Sequence, residues 1–326
     1  FIITMLVGYL TSRPMLKCYY DTTYTKENSL TKASQDIVAK LDGKVKLTTY
    51  VNLFGELYGI TAKNIKRDID RYERYIRYKP DMELNYVFYY HVDTTSENFK
   101  KRYPGKTLLG AVKDAVKLQD TRSGRYLTPE EIAKVETEKG INLSDERYDF
   151  VTLIERENGQ RTFLRVYRDF MNPLPGETEI SAALKRVAMR LPRVGILSDR
   201  GARSSVGDRN RDYSYSVSEK TYRRAMINQG FDVLDVSLRR GCRDLDSLDI
   251  LIVSEPLEPF TSDELDILYS YVENGKNLLV AGKPKTYSYL TPLVEQLGLQ
   301  FDPGILVQKA VTEYPAHLLL WTVTDS

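Results

Sequence analysis

Four short apolar runs in the second half of the chain limit the folds open to it. They are "RVGILS" (193–198), "FDVLDVS" (231–237), "DILIVS" (249–254) and "NLLVAG" (277–282). Each has the length of one strand, and helical stretches are expected between them near 217–229 and 261–274. Short apolar strands divided by helices imply a parallel sheet covered on both faces. Thr261 and Glu264 have capping-box spacing, and Gly275 stands where that helix would stop. The connection between the second and third runs lacks a helix, so the strand order stays open. Residues 192–326 are therefore expected to form a Rossmann- or flavodoxin-like α/β domain, amidotransferase-like in outline. The chain ends on "LLLWTVTDS" (318–326) without a stop signal, which suggests a domain cut short at its C-terminus.

The first half reads differently. "KVKLTTYV" (44–51) is a strand, and a helix is expected from Thr61, as N-cap, to about Tyr78. On that helix Ile65, Ile69, Tyr72 and Ile76 predict one buried stripe, with Arg67, Arg71 and Arg74 on the opposite face. "MELNYVFYYHV" (82–92) is the next strand. Residues 98–146 turn helical and polar, with Thr128, Pro129 and Glu131 arranged as a helix start. Two strands then flank Asn158-Gly159, a hairpin signal. A helix over 177–191 follows, with Ile180, Leu184, Val187 and Leu191 along one side. The order β-α-β, insertion, β-β-α is that of a thioredoxin-like domain spanning 44–191. Where such a domain would carry Cys-x-x-Cys, this chain has "NLFGELYG" (52–59), so redox chemistry is not expected. Residues 1–43 read as a membrane-proximal segment with a short helix over 31–41. The opening "FIITMLVGYL" is too short to span a bilayer, which takes ~20 residues. It fits a buried or interfacial segment, or the end of a membrane helix lying outside the chain.

Composition narrows the chemistry. Lysine and arginine total 47 against 45 acidic residues, so no overall field recruits nucleic acid. The arginine–tyrosine mixture of "RDIDRYERYIRYK" is interleaved with Asp68, Asp70 and Glu73, which reads as an ion-paired face. Cys18 and Cys242 match no zinc or redox spacing, and the histidines are His91 and His317 alone. His91 and Asp93 form an H-x-D pair at a strand end, too few ligands for a metal site. Neither metal nor cofactor is expected. The 24 tyrosines suit surfaces and interfaces.

The candidate site lies at the strand ends of the second domain. "VGILSDRGARSSVGDRNRDYSYS" (194–216) begins as a strand and opens into a glycine- and arginine-rich loop at the carboxyl edge of the expected sheet, where open α/β sheets bind ligands. Asp199, Arg200, Arg203, Arg209 and Arg211 are the candidate contacts there. Gly201 and Gly207 are spaced wrongly for a phosphate loop, and Asp199, Asp208 and Asp212 offset much of the positive charge. "AGKPK" (281–285) has Gly-Lys but no following hydroxyl. Ser254 and Glu255 end the third strand, where hydrolases place a nucleophile, but the glycines of a nucleophile elbow are absent. Two competing uses remain: a hydrolase- or amidotransferase-like enzyme built on Ser254, with Glu255 or His317 in support, and a glycan- or small-anion-binding module using the 199–216 loop as a lid.

Two blocks of this sequence resemble a known family. "YYDTTYTKENSLTKASQDIVAKLDGKVKLTTYVN" (19–52) is similar to the start of the extracytoplasmic region of GldG-type proteins, auxiliary components of ABC-2-type transporters that include the gliding-motility system of Bacteroidetes. "GILSDRG", "INQGFDVLDVSL" and "LDILIVSEPLEPFTSDELDILYSYVENGKNLLVAGKP" resemble the second block of that family, shared in outline with an intraflagellar-transport subunit. The resemblance spans roughly 19–310 and rests on core and turn residues. It implies a non-enzymatic domain at the cytoplasmic membrane, facing the periplasm. Helices outside this chain would anchor it, and it would work with a permease and an ATPase, with self-association left open. The family supplies no catalytic residues to carry over.

Overall fold

A computed structural model describes residues 2–12, 20–26, 28–55, 65–119, 125–169, 171–208, 210–240 and 242–302. The chain forms two compact units, Phe1–Leu191 with Tyr215–Asp232, and Pro192–Ser214 with Val233–Ser326. Both are α/β, one built on a mixed sheet and the other on an all-parallel sheet.

The first unit begins with α1 (Ile2–Ser12) and α2 (Lys32–Ala39), the latter capped by Thr31. The sheet contains β1 (Val45–Asn52), β2 (Met82–Tyr89), β3 (Val151–Arg156) and β4 (Arg161–Arg165), in the order β2-β1-β3-β4. Strand β1 runs parallel to β2 and antiparallel to β3, and β3 and β4 form the hairpin expected at Asn158-Gly159. Gly159 takes φ +85°, a value that favours glycine in this turn. The other helices are α3 (Ile65–Tyr78), α4 (Glu97–Arg102), α5 (Leu108–Gln119), α6 (Pro129–Lys139) and α7 (Glu177–Ala188). The capping box of Thr128 and Glu131 starts α6 as read.

Burial on both faces explains why β1 reads as a nearly continuous buried run. On one face Val45 and Leu47 pack with Tyr72 and Tyr75 of α3 and with Ile180, Leu184 and Val187 of α7. On the other, Tyr50 and Leu153 pack with Ile132 of α6. The hydroxyls of Thr49 and Thr152 meet across β1 and β3 at 2.8 Å, so two polar groups are buried together at little cost. Ile180, Leu184, Val187 and Leu191 are all buried, as their spacing predicted.

The stripe expected on α3 is corrected. Ile69 is 42% exposed, and the buried positions are Asp68, Tyr72 and Tyr75. A carboxylate can replace an isoleucine there because Asp68 accepts from the Tyr86 hydroxyl at 2.7 Å and pairs with Arg71. Arg71 therefore lies against the buried side, not opposite it. Tyrosine also behaves differently from the expectation that it serves surfaces. Tyr50, Tyr72, Tyr75, Tyr89 and Tyr167 are among the largest fully buried side chains of the described residues. Burial pushes the phenols of all five well above the ordinary tyrosine value.

The second unit holds β5 (Arg193–Leu197), β6 (Asp232–Val236), β7 (Ile250–Ser254) and β8 (Asn277–Ala281) in the order β6-β5-β7-β8. All four strand runs read from the sequence are present. Gly195 in β5 sits in a crowded place: a Cβ there would overlap the buried Leu248 side chain and press on Val236, so one of them would have to shift. The connection between β6 and β7 is made of 3-10 turns, as its lack of a helical pattern implied. The helix expected near 217–229 does not form. Only the single turn α8 (Ser214–Val217) and a 3-10 turn at Met226–Asn228 appear. The Asn228 side-chain amide donates to the carbonyls of Glu219, Lys220 and Tyr222, so oxygens that a helical ladder would use are met from the side. α9 (Ser262–Glu273) has the expected capping box, Gly275 follows it at φ +75°, and α10 spans Thr291–Gln296. The expected N-cap Thr61 lies outside the described residues.

Leu184→Ala would empty a fully buried position between α7 and the mixed sheet. It is expected to cost about 2–5 kcal/mol, read as a lower urea midpoint with an unchanged slope.

Candidate functional site

The loop after β5 does emerge at the carboxyl edge of the parallel sheet, beside the tip of β7. Its backbone turns sharply: Arg200 and Gly201 take φ +57° and +65°, and the Ala202 N–H donates to the Asp199 carbonyl at 2.9 Å. The Leu257 N–H donates to the Arg200 carbonyl at 2.8 Å and the Arg203 N–H to the Ser254 carbonyl at 3.2 Å, so the loops after β5 and β7 are joined by their main chains. The structure thus brings Asp199, Arg200, Arg203, Arg211, Ser254 and Glu255 to one edge, while Arg209 lies outside the described residues.

Each of these side chains has an internal partner. Asp199 is buried and accepts from the Ser237 hydroxyl at 2.8 Å and from the Leu238 N–H, tying the ends of β5 and β6 together. Arg200 reaches both carboxylate oxygens of Glu264 at 2.9–3.2 Å, with Glu258 at 3.5 Å. Arg203 donates to Glu255 Oε2 at 2.9 Å, and its guanidinium lies 5.4 Å from the Tyr213 ring centroid. Lys283 bonds the same carboxylate oxygen at 2.8 Å. Arg211 pairs with Asp212 and donates to the Gly201 carbonyl. The loop itself is held by Asp235, which accepts from the Ser205 N–H and the Ser204 hydroxyl, each at 2.7 Å, and by Asp212, which accepts from the Ser204 and Asp208 N–H groups.

Ser254 is 1% exposed, and its Oγ lies 2.5 Å from the Tyr213 hydroxyl. Among the described residues no histidine, lysine or carboxylate bonds that oxygen, so the arrangement of a serine beside its general base is not assembled there. His317, the distant partner considered from the sequence, lies outside the described residues. Glu255 takes φ +48°, an uncommon value for a residue with a side chain, and its N–H donates to the Ala281 carbonyl at 3.0 Å. Burial pushes its carboxyl up, but the hydrogen bonds and charges of Arg203 and Lys283 outweigh that and hold it below the ordinary glutamate value. Glu264 behaves alike: burial raises it, and Arg200 together with the Thr261 cap lowers it further than burial lifts it. Among the described residues no cluster of three or more histidine, cysteine or acidic side chains could hold a metal ion.

Sequence reasoning missed Tyr213, Asp212 and Asp235 as the loop's internal anchors. It also treated Lys283 only as part of a failed phosphate motif and Glu264 only as a helix cap. The signal for Lys283 was position: "AGKPK" starts at the tip of β8, next to β7, so its lysine faces whatever β7 presents.

Comparison with known families fits this picture. Residues 191–316 match the model of a family described as an ABC-type uncharacterized transport system. No curated protein matches the chain. The match supports an auxiliary domain of an ABC-type transport system in this stretch, associated with transporter components and with a membrane. It points to a non-catalytic role. Among the described residues no helix is long and apolar enough to cross a membrane.

Both Glu255 and Glu264 have lowered folded-state values, so their stabilisation is present above the ordinary glutamate value of 4.5 and is lost as pH falls through the lower folded value. Glu264→Gln is expected to lose about 1.5–3 kcal/mol at neutral pH, where Arg200 keeps only its 3.5 Å contact with the exposed Glu258, and to show a shallower acid loss than the parent. Urea unfolding at pH 7 and at pH 4 measures both.

Proposed function

We propose that this chain is a non-catalytic, extracytoplasmic component of an ABC-2-type transporter, of the GldG kind, that binds a permease or ATPase-bearing partner or the transported substrate. The observation that carries the reading is the saturation of the parallel sheet's carboxyl edge. Every described position where a relative with chemistry would carry a nucleophile or phosphate clamp is committed to an internal bond: Ser254 to Tyr213, Glu255 to Arg203 and Lys283, Arg200 to Glu264. The family match over 191–316 supplies the transport context.

Helix α1 supports a position next to the membrane. Ile2, Ile3, Met5, Leu6 and Tyr9 are all more than half exposed, and no basic or acidic residue interrupts the helix. Its 11 residues rise ~16 Å, about half of a ~30 Å hydrocarbon core. An uncharged helix with this much exposed apolar side chain is suited to lipid or to other membrane helices, and in this reading it adjoins an anchor in the cytoplasmic membrane with both units on the periplasmic side.

Cross-linking in cells, followed by affinity capture of the tagged chain, is expected to recover a permease and an ATPase subunit. Cysteines placed at exposed positions should react with a membrane-impermeant thiol reagent. A screen of esters, amides and glycosides on the purified protein is expected to show no turnover dependent on Ser254, and activity abolished by Ser254→Ala would refute the non-catalytic reading.

A further inference from the structure

The mixed sheet of the first unit also has a carboxyl edge, and among the described residues that edge borders a cavity. Asn52 at the end of β1 organises it. Its side-chain amide donates to the carbonyls of His91 and Tyr148, each at 2.8 Å, and its oxygen accepts from the N–H groups of His91 and Phe54 at 3.0 and 3.2 Å. One buried side chain therefore fixes three backbone segments around a cavity of 590 Å³. That size falls within the ~300–1,000 Å³ span of small-molecule pockets, and the end of the parallel pair β1 and β2 is where α/β sheets accept ligands.

Two features distinguish this cavity from an incidental cleft. Arg147 and Tyr148, consecutive residues with side chains, both take left-handed backbone angles, φ +60° and +46°. Such conformations are strained for residues with side chains and persist where the surroundings impose them. Here they are imposed by N–H bonds to the Ser144 and Leu143 carbonyls and by Asn52. The result is a flat wall: the Tyr148 ring stacks on His91 with centroids 3.7 Å apart. The second feature is charge. Arg168 lines the same cavity, is exposed, and makes no ion pair among the described residues. Arg147 lies only at the 4.0 Å limit of contact with Glu219. The carboxylates of the lining are more committed. Asp93 Oδ1 accepts from the Thr95 N–H and hydroxyl, and Asp149 Oδ1 from the Phe150 N–H.

The geometry points to a binding site in this cavity for a compact ring-bearing oxyanion, its ring lying against the His91–Tyr148 stack and its carboxylate or phosphate held by Arg147 and Arg168. Planar guanidinium forks match oxyanions in pairs of hydrogen bonds, and a half-buried aromatic surface rewards a flat partner. The inference stands apart from the transporter reading, because it uses no residue of the parallel-sheet edge. Asn98, also in the lining and exposed, adds a donor for a polar substituent on the ring.

The chain has two histidines, so the His91 imidazole can be followed by NMR on the histidine-labelled protein, with His317→Gln identifying its signals. The probes are benzoate, phenyl phosphate and benzyl alcohol, the last carrying the ring without the charge. Saturable shifts of the His91 signals are expected with benzoate or phenyl phosphate, and whichever binds tighter separates a carboxylate site from a phosphate site. Benzyl alcohol is expected to bind at least about tenfold more weakly, and Arg168→Gln and Arg147→Gln to weaken the anion by about tenfold each. Arg168→Gln changes an exposed side chain and should leave the melting temperature unchanged, which keeps the test independent of folding. The proposal is overturned if neither anion shifts His91 in the millimolar range, or if the shift survives both arginine substitutions.

Discussion

A charge held at the tip of a parallel sheet must be paired or hydrated, because leaving it half-desolvated and alone costs several kcal/mol. In the second unit that requirement is met from within. Arg200 has Glu264, Arg203 has Glu255, and Arg211 has Asp212 and the Gly201 carbonyl. A phosphate-binding relative would leave comparable cations and N–H groups for its ligand; here carboxylates already occupy the position of the anion. The loop's shape depends on the same pairings, since Asp199, Asp212 and Asp235 use their oxygens on loop and neighbouring N–H and hydroxyl groups. The order of the loop and the internal pairing of its charges have one cause.

The two sheet edges make an instructive contrast. Positive φ at residues with side chains occurs, among the described residues, at Lys26 and then at Arg147, Tyr148, Arg200 and Glu255. Four of the five stand at the carboxyl edge of one sheet or the other, where chain reversals are tightest. In the second unit the strain at Arg200 and Glu255 is offset by bidentate and shared ion pairs. In the first, the strain at Arg147 and Tyr148 is offset by main-chain bonds and by Asn52, and the Arg147 side chain contacts Glu219 only at 4.0 Å. The same backbone device thus carries internally ion-paired arginines at one edge and an arginine without an ion pair among the described residues, Arg168, beside the other.

What the sequence made legible follows the same division. Strands and caps came through because their signals are local: alternation and apolar runs for β1 to β8, Thr-x-x-Glu for α6 and α9, Asn-Gly for the β3–β4 turn. The α3 stripe failed at Ile69 because periodicity ranks isoleucine above aspartate, and the burial of Asp68 rests on Tyr86 of a distant strand together with Arg71. The helix expected over 217–229 failed because the bonds that replace its ladder converge on one side chain, Asn228, which has no periodic signature. The position of the loop after β5 was readable from its place at the end of the first apolar run of an expected parallel sheet. Its saturation was not, since Glu264 and Lys283 reach it from 64 and 80 residues beyond Arg200 and Arg203, respectively. The Asn52 cavity escaped notice for the same reason: its walls come from four separate stretches of chain.

Segment 215–232 shows how far sequence order and compact structure can part. It falls inside the family-matched stretch 191–316, yet Tyr215–Asp232 belongs to the first compact unit. Its bonds there involve buried carboxylates. Lys220 joins Arg165 on Glu146, and Arg223 pairs with Glu179, which also accepts from the Gly176 N–H at the start of α7. The Thr221 carbonyl accepts from the Arg168 N–H, and Glu219 lies beside Arg147, so both cations of the Asn52 cavity are positioned by this segment. Residues 1–191 alone would lose the Arg223 charge from buried Glu179 and the Lys220 charge from Glu146, an exposure that the remaining Arg165 only partly offsets. The mixed-sheet unit is therefore complete only when the chain has passed through β5 and returned, and its cavity is shaped in part by residues of the family-matched stretch.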